Sequence, residues 1–238
     1  MLFNSLKFMV FLPAVLVLYW ALPHRFRKYL LLAASYYFYM SWNAKYALLL
    51  LFSTVLTYSC ARLIEKAESA KSRKVFLILC LVLQLGILFG MKYLNFAVSL
   101  LARLLLLLHV ELTVPAFDIV LPVGISFYTF QIVSYLVDVY RGDVAAQRSF
   151  VDLAAYVAMF PQLIAGPIVR YSDVAAQLRT RMHSVSDAAY GARRFVLGLA
   201  KKILLANQLG ALVSAFRATK DGSVLYTWLY AVAFLLQI

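Results

Sequence analysis

Residues Leu121 to Gly142 read LPVGISFYTFQIVSYLVDVYRG. The run is long and apolar enough to cross a bilayer, which takes about 20 residues, yet it carries Tyr128, Gln131, Tyr135 and Asp138. In a helix, Gly124, Tyr128, Gln131, Tyr135 and Asp138 recur at alternating steps of four and three and share one stripe. Val123, Ile125, Phe130, Ile132, Val133, Leu136 and Val137 lie elsewhere on the surface, with Ser126 and Thr129 among them, whose hydroxyls can bond back to helix carbonyls. A polar stripe of this kind is costly against lipid, so it faces other helices or a water-filled cavity. Spacing alone leaves two readings open, hydrogen-bonding glue between helices and the lining of a path.

The rest of the chain has the same character. Its 238 residues are 64% hydrophobic and only 14% charged, and the mean hydropathy is +0.84. Soluble domains are roughly half apolar and a quarter charged, so lipid is the expected solvent for most of this chain. The net charge of +13 would suggest nucleic acid in a soluble protein. Here the basic residues sit between apolar runs, where the excess of Lys and Arg in cytoplasmic loops accounts for them and nucleic-acid binding is not expected. Cys60 and Cys80 lie in or beside apolar runs and are expected to be small packing residues, with no disulfide framework and no metal spacing.

Apolar segments are expected at 6–22, 29–42, 46–61, 74–91, 93–109, 119–139, 150–169, 193–216 and 224–238, several of them short enough to be tilted, re-entrant or half-helices. The first ends in LYWALPHRFRK without a convincing cleavage site, which favours an uncleaved span anchored by Tyr19 and Trp20 over a signal peptide. Most of the 23 Lys and Arg residues fall in 23–28, 61–74 and 170–202. Placing all three on the cytoplasmic side is consistent with single crossings between them, but leaves Arg141 and Arg148 facing outward. The final run VLYTWLYAVAFLLQI stops at Ile238 within an apolar segment. The expectation is one membrane domain over 1–238, the N-terminal portion of a larger fold and truncated inside the span at 224–238.

Two further stretches could carry chemistry. In MFPQLIAGPIVRYSD (159–173), Pro161 and the pair Gly166-Pro167 interrupt a spanning run. Each proline removes a backbone donor and frees a carbonyl, and a broken helix at membrane depth survives only in protein or beside a cavity. Gln162 could satisfy freed groups and Arg170 would sit at the interface, whereas a simple proline kink is the plainer alternative. In RRFVLGLAKKILLANQLG (193–210), Lys201 and Lys202 interrupt an apolar stretch. They read either as lysines snorkelling to headgroups or as a basic floor for an acidic donor. Of the histidines His24, His109 and His183, the first and last lie in basic loops and His109 marks a span end. No nucleophile elbow, P-loop, HExxH or CxxC is present. Gly86-x-x-x-Gly90 could mark close helix packing.

Taken together, LPVGISFYTFQIVSYLVDVYRG, FPQLIAGPIVRY and GLAKKILLANQLG resemble the N-terminal half of membrane-bound O-acyltransferases. The nearest branch is the bacterial alginate O-acetyltransferase type, whose opening FLPAVLVLYWALP…RKYLLLAASYYFYMSW is also similar. The resemblance implies an all-α, polytopic integral membrane protein, a ring of tilted and broken helices around a thin centre. It implies transfer of an acetyl or other short acyl group from a cytoplasmic thioester donor, acetyl-CoA or an acyl carrier, to a hydroxyl of an extracytoplasmic polysaccharide of the alginate, cellulose or peptidoglycan type. No permanently bound cofactor and no metal are implied. The family's catalytic histidine matches no position here and is expected after Ile238, so no catalytic residue is assigned and His109 is not given that role.

Tyr128, Gln131, Tyr135 and Asp138 would then be cavity-facing scaffold. Gln162, Gly166, Pro167 and Arg170 would shape the tunnel neck, with Lys201 and Lys202 as the basic cytoplasmic lip. Membrane lipids, periplasmic or membrane acetyltransferase partner proteins and the acceptor polysaccharide would be its partners, in the bacterial inner membrane. D-alanyl transfer to teichoic acid, a transporter or an accessory subunit are the alternatives.

Overall fold

The computed structural model describes residues 3–107, 120–164, 166–179, 184–219 and 223–238. It divides into two compact units, Pro13–Thr180 with Met1, and Leu2–Leu12 with Arg181–Ile238. Helix α1 (Leu6–Ala21) contains the boundary between them. The first unit then runs through α2 (His24–Met40), α3 (Ala44–Lys66), α4 (Ala70–Lys92), α5 (Leu94–Leu107), α6 (Ile125–Arg141), α7 (Phe150–Ala158), α8 (Phe160–Leu163) and α9 (Tyr171–Arg179). The second holds α10 (Val185–Lys201), a π-helical turn (Lys202–Ala206), α11 (Asn207–Ala218) and α12 (Val224–Gln237).

Among the described residues, three stretches are long and apolar enough to cross a membrane: α3, α4 and the continuous helix Val185–Ala218. The protein is an all-helical, multi-pass membrane protein, as its composition implied. Its burial is inverted relative to a soluble bundle. In α4, Val75, Ile78, Leu79, Val82, Leu85 and Phe89 are exposed on the side left to lipid, whereas Gln84 and Cys80 are buried with Leu77 and Leu88. The buried face of α3 is Ala47, Leu50, Ser53, Thr54, Thr57, Cys60, Ala61 and Ile64, recurring every three to four residues. Small side chains let helix backbones approach closely, which in lipid stands in for a hydrophobic drive to associate. The hydroxyls of Thr54 and Thr57 return to the carbonyls of Leu50 and Ser53, which disposes of their donors inside the helix.

Two sequence expectations about helix packing change. Cys60 and Cys80 are joined as a disulfide with Cα atoms 6.2 Å apart, not free packing residues. Both lie on the mutually buried faces of α3 and α4, a placement that a count of cysteines cannot reveal. The Gly86-x-x-x-Gly90 spacing makes no close helix contact, because a Cβ on either glycine would meet nothing within 4 Å.

Hydrogen bonds at the helix ends fix the topology of the first unit. Arg73, at the start of α4, donates from Nη2 to Tyr140 O at 2.9 Å, a cation placed on the unsatisfied carbonyls and negative dipole end of α6. Glu65, at the end of α3, accepts from the Ala146 N–H at 3.0 Å, and Lys28, at the start of α2, pairs with Asp152 at 2.9 Å. The starts of α2, α4 and α7 and the ends of α3 and α6 therefore share one face. At the opposite ends, Tyr46 donates to Val120 O and Lys92 lies 3.4 Å from Ser126 Oγ.

Segment 142–149 therefore lies on the face of 23–28 and 61–74, which corrects the outward placement of Arg141 and Arg148. Those two cations join the basic face, so the charge asymmetry is stronger than single crossings implied.

Segment 150–169 is likewise not a single crossing. Helix α7 is 9 residues long, or roughly 13 Å at 1.5 Å per residue, and stops at Met159. Short helix α8 follows, and its Leu163 packs against Gly124 at the far end of α6. The chain then comes back: Val169 O accepts from Tyr156 Oη at 2.8 Å, and Tyr171 reaches Gln147. The hairpin from Ser149 to Tyr171 enters and leaves on the same face. Helix α9, which the apolar pattern did not indicate, begins at that exit.

In the second unit, α11 and α12 form a hairpin. Tyr226 donates to Phe216 O at 2.7 Å, Arg217 donates to Tyr230 Oη at 3.0 Å, and Gly210 lies against the Gln237 side chain. Phe8 is buried there, its ring 6.2 Å from that of Phe195.

Candidate functional site: a broken hairpin held by the polar stripe of α6

The stripe read from the sequence is real. Tyr128, Gln131, Tyr135 and Asp138 are all buried on α6, while Phe130 on another side is exposed. Gly124 (φ 77°) and Gly142 (φ 86°) cap the helix in the left-handed conformation that glycine adopts without strain. The Asp143 and Val144 N–H groups fold back onto Asp138 O, which ends α6 at the basic face.

Accounting for the backbone of the break shows what the stripe does. In an unbroken helix Tyr156 O would accept from the N–H of Phe160, and Val157 O from residue 161, which is proline and has none. The Phe160 N–H instead donates to Ser35 Oγ of α2 at 3.2 Å. Tyr156 O is taken by two side-chain amides, Gln131 Nε2 at 3.0 Å and Gln162 Nε2 at 2.8 Å. A freed carbonyl at membrane depth would otherwise lack any donor. Here one glutamine from the stripe and one from beside the break converge on it.

One turn further along α6, Tyr135 Oη accepts from the Gln147 N–H at 2.8 Å. Gln147 then donates from Nε2 to Tyr171 Oη at 2.6 Å and accepts from the Ser149 N–H at 3.1 Å. The rings of Tyr135 and Tyr156 each stand edge-on to Tyr171, with centroids 5.0 and 5.1 Å away, a favoured aromatic geometry. Both legs of the hairpin are thus tied to α6, the outgoing leg through Gln131 and the returning leg through Tyr135, Gln147 and Tyr171.

The remaining sequence candidates lie apart from this network. Gly166 (φ 134°), Pro167 and Arg170 are exposed on the returning leg. The left-handed φ explains why glycine precedes Pro167, since other residues are strained there. Lys201 and Lys202 are exposed in the second unit, at the junction between α10 and the π-helical turn. His24 is exposed at the start of α2, while His109 and His183 lie outside the described residues. Among the described residues no group of His, Cys, Asp and Glu could hold a metal ion.

Sequence reasoning missed Ser35, Gln147, Tyr156 and Tyr171. Ser35 and Tyr156 sit in apolar helices with nothing local to single them out. The glutamine at 147, in a short turn between two helices, was the one available signal.

Residues 143–238 match the family model of MBOAT, the membrane-bound O-acyltransferase family. Over its whole length the chain is 40% identical to the probable alginate O-acetylase AlgI of Pseudomonas aeruginosa, covering 46% of that protein. Both matches make the chain similar to the membrane-bound O-acyltransferase family. It is also 40% identical to the probable alginate O-acetylase AlgI of Azotobacter vinelandii, covering 48% of it. It is 29% identical to the peptidoglycan O-acetyltransferase of Helicobacter pylori, covering 51%. The chain spans about half the length of the curated relatives it matches. No solved structure gives a significant match. The family match includes the whole hairpin and begins just after α6, so α6 supports a segment that the family model itself recognises.

Proposed function

We propose that this chain is part of a membrane O-acyltransferase that moves an acetyl or other short acyl group from a cytoplasmic thioester, acetyl-CoA or an acyl carrier, onto a hydroxyl of an envelope polysaccharide. The observation that carries the reading is similarity along the whole of this chain to relatives named for O-acetylation of two chemically different polysaccharides, alginate and peptidoglycan. What those acceptors share is a sugar hydroxyl.

The geometry supports this reading. A hairpin that enters from the basic face and reaches toward the opposite end of α6 is a means of carrying backbone into the bilayer without exposing it to lipid. The basic face is the cytoplasmic one, of the inner membrane in a bacterium, and the exposed return Gly166–Pro167–Arg170 borders the route of the donor. Lys201 and Lys202 supply positive charge that attracts an anionic donor. A thioester is already activated, so the transfer needs a base at the sugar hydroxyl and no metal. The base comes from the portion of the family fold beyond the match described above. Membrane lipid, the acceptor polysaccharide and envelope acetyltransferase proteins are the partners.

The test uses membranes from cells carrying the full-length protein, supplied with radiolabelled acetyl-CoA. Base-labile acetyl label is expected in the polysaccharide fraction and absent when the gene is deleted. Equal label in both membranes would reject the assignment.

A further inference from the structure

Behind the hairpin, where α2, α3 and α6 pack, the buried hydroxyls that complete no hydrogen bond to a protein group include Tyr39 Oη, Ser53 Oγ and Tyr128 Oη. Their residues are 2%, 0% and 0% exposed. Tyr128 Oη is turned toward Ser53 and lies near Tyr39. Gln84 of α4 adds a fourth group at the same place. Its Nε2 donates to Ser53 O at 2.9 Å and to Thr57 Oγ1 at 3.0 Å, while its Oε1 accepts from nothing.

Buried polar atoms in native proteins are almost always paired, and a group left over calls for a partner. Scattered leftovers would each need a separate explanation, but Gln84 and Tyr128 both stand at Ser53 and Tyr39 lies near Tyr128. Direct pairing does not resolve them. A hydroxyl has one hydrogen and the Gln84 oxygen can only accept. None of these four atoms reaches hydrogen-bond geometry with another, so the bonds they need have to come from a group lying between them. A water molecule brings two donors and two acceptors, and buried waters typically make two to four hydrogen bonds to such groups.

We propose that this junction is a water-binding site within the membrane interior, with Tyr39 Oη, Ser53 Oγ, Tyr128 Oη and Gln84 Oε1 as its protein ligands. The water accepts from the two tyrosines and donates to Gln84 Oε1 and to Ser53 Oγ. Tyr128 thereby has a role separate from that of Gln131 and Tyr135: the upper part of the α6 stripe binds water and the lower part binds the hairpin.

Radiolytic hydroxyl-radical labelling of the purified full-length protein in lipid nanodiscs, read by mass spectrometry, tests this. Radicals form from water at its binding site, so a buried residue is modified only where bound water touches it. Tyr39 and Tyr128 are expected to be modified several-fold more than Tyr135 and Tyr156, which are as deeply buried and whose hydroxyls are bonded to the chain. Modification of all four at the same level would overturn the proposal. In Tyr128→Phe, modification of Tyr39 is expected to fall by at least half as the shared water is lost. Should that variant fail to fold, the comparison of the four tyrosines in the unaltered protein decides alone.

Discussion

Gly124→Val is expected to prevent the protein from accumulating in folded form, judged by the monodisperse fraction in detergent and by the midpoint of thermal unfolding. Two costs coincide at this residue. Its φ of 77° is left-handed, which strains a β-branched side chain by about 1–3 kcal/mol. A Cβ there would also lie 2.1 Å from Leu163 O, so α8 must move away from the start of α6, and overpacking of this kind adds about 1–3 kcal/mol. Gly166→Ala serves as the control. Its φ of 134° imposes backbone strain, but nothing lies within 4 Å of the added Cβ. That variant is expected to fold with a smaller loss of stability, because it carries the conformational cost alone. Similar behaviour in the two variants would mean that the contact between α6 and α8 does not hold the hairpin.

The second large effect is expected in the glutamine pair. Gln131→Leu keeps the volume of the side chain but removes one of the two donors on Tyr156 O. Gln162→Leu removes the other. Each single variant leaves the carbonyl with one partner and is expected to lose acetylation only in part. The double variant leaves it buried with none, a penalty of about 1–3 kcal/mol concentrated at the break. Polysaccharide acetylation in the full-length protein is therefore expected to fall much further in the double variant than the two single losses combined, a non-additivity typical of groups that share a partner. Independent, additive losses would show that the two amides serve different purposes.

The membrane class, nearly every helix and the polar stripe itself were legible in the sequence, because each depends on local periodicity and length. Gly124, Tyr128, Gln131, Tyr135 and Asp138 had to share a face whatever surrounded them. What periodicity could not show was the object of that face. Gln131 could have lined water or bound a carbonyl, and only the placement of Tyr156 on α7 reveals the carbonyl that it meets.

The break at Pro161 was equally legible, yet its direction of return was not. A proline frees a carbonyl without saying whether the chain goes on across the bilayer or turns back. That choice is made by contacts distant in sequence, Arg73 with Tyr140, Glu65 with Ala146 and Lys28 with Asp152. The disulfide was hidden for the same reason, since Cys60 and Cys80 become neighbours only once α3 and α4 pack.

The account rests on a hairpin that enters and leaves on the basic face, and the sidedness of labelling in sealed vesicles tests it most directly. Single cysteines would replace Ser41, Glu68, Ala145 and Ser172, all of which are exposed, while the native cysteines stay paired as Cys60–Cys80. A membrane-impermeant maleimide is expected to modify positions 68, 145 and 172 from one side and position 41 from the other. Modification of 145 or 172 from the side of 41 would contradict the hairpin and restore a simple crossing.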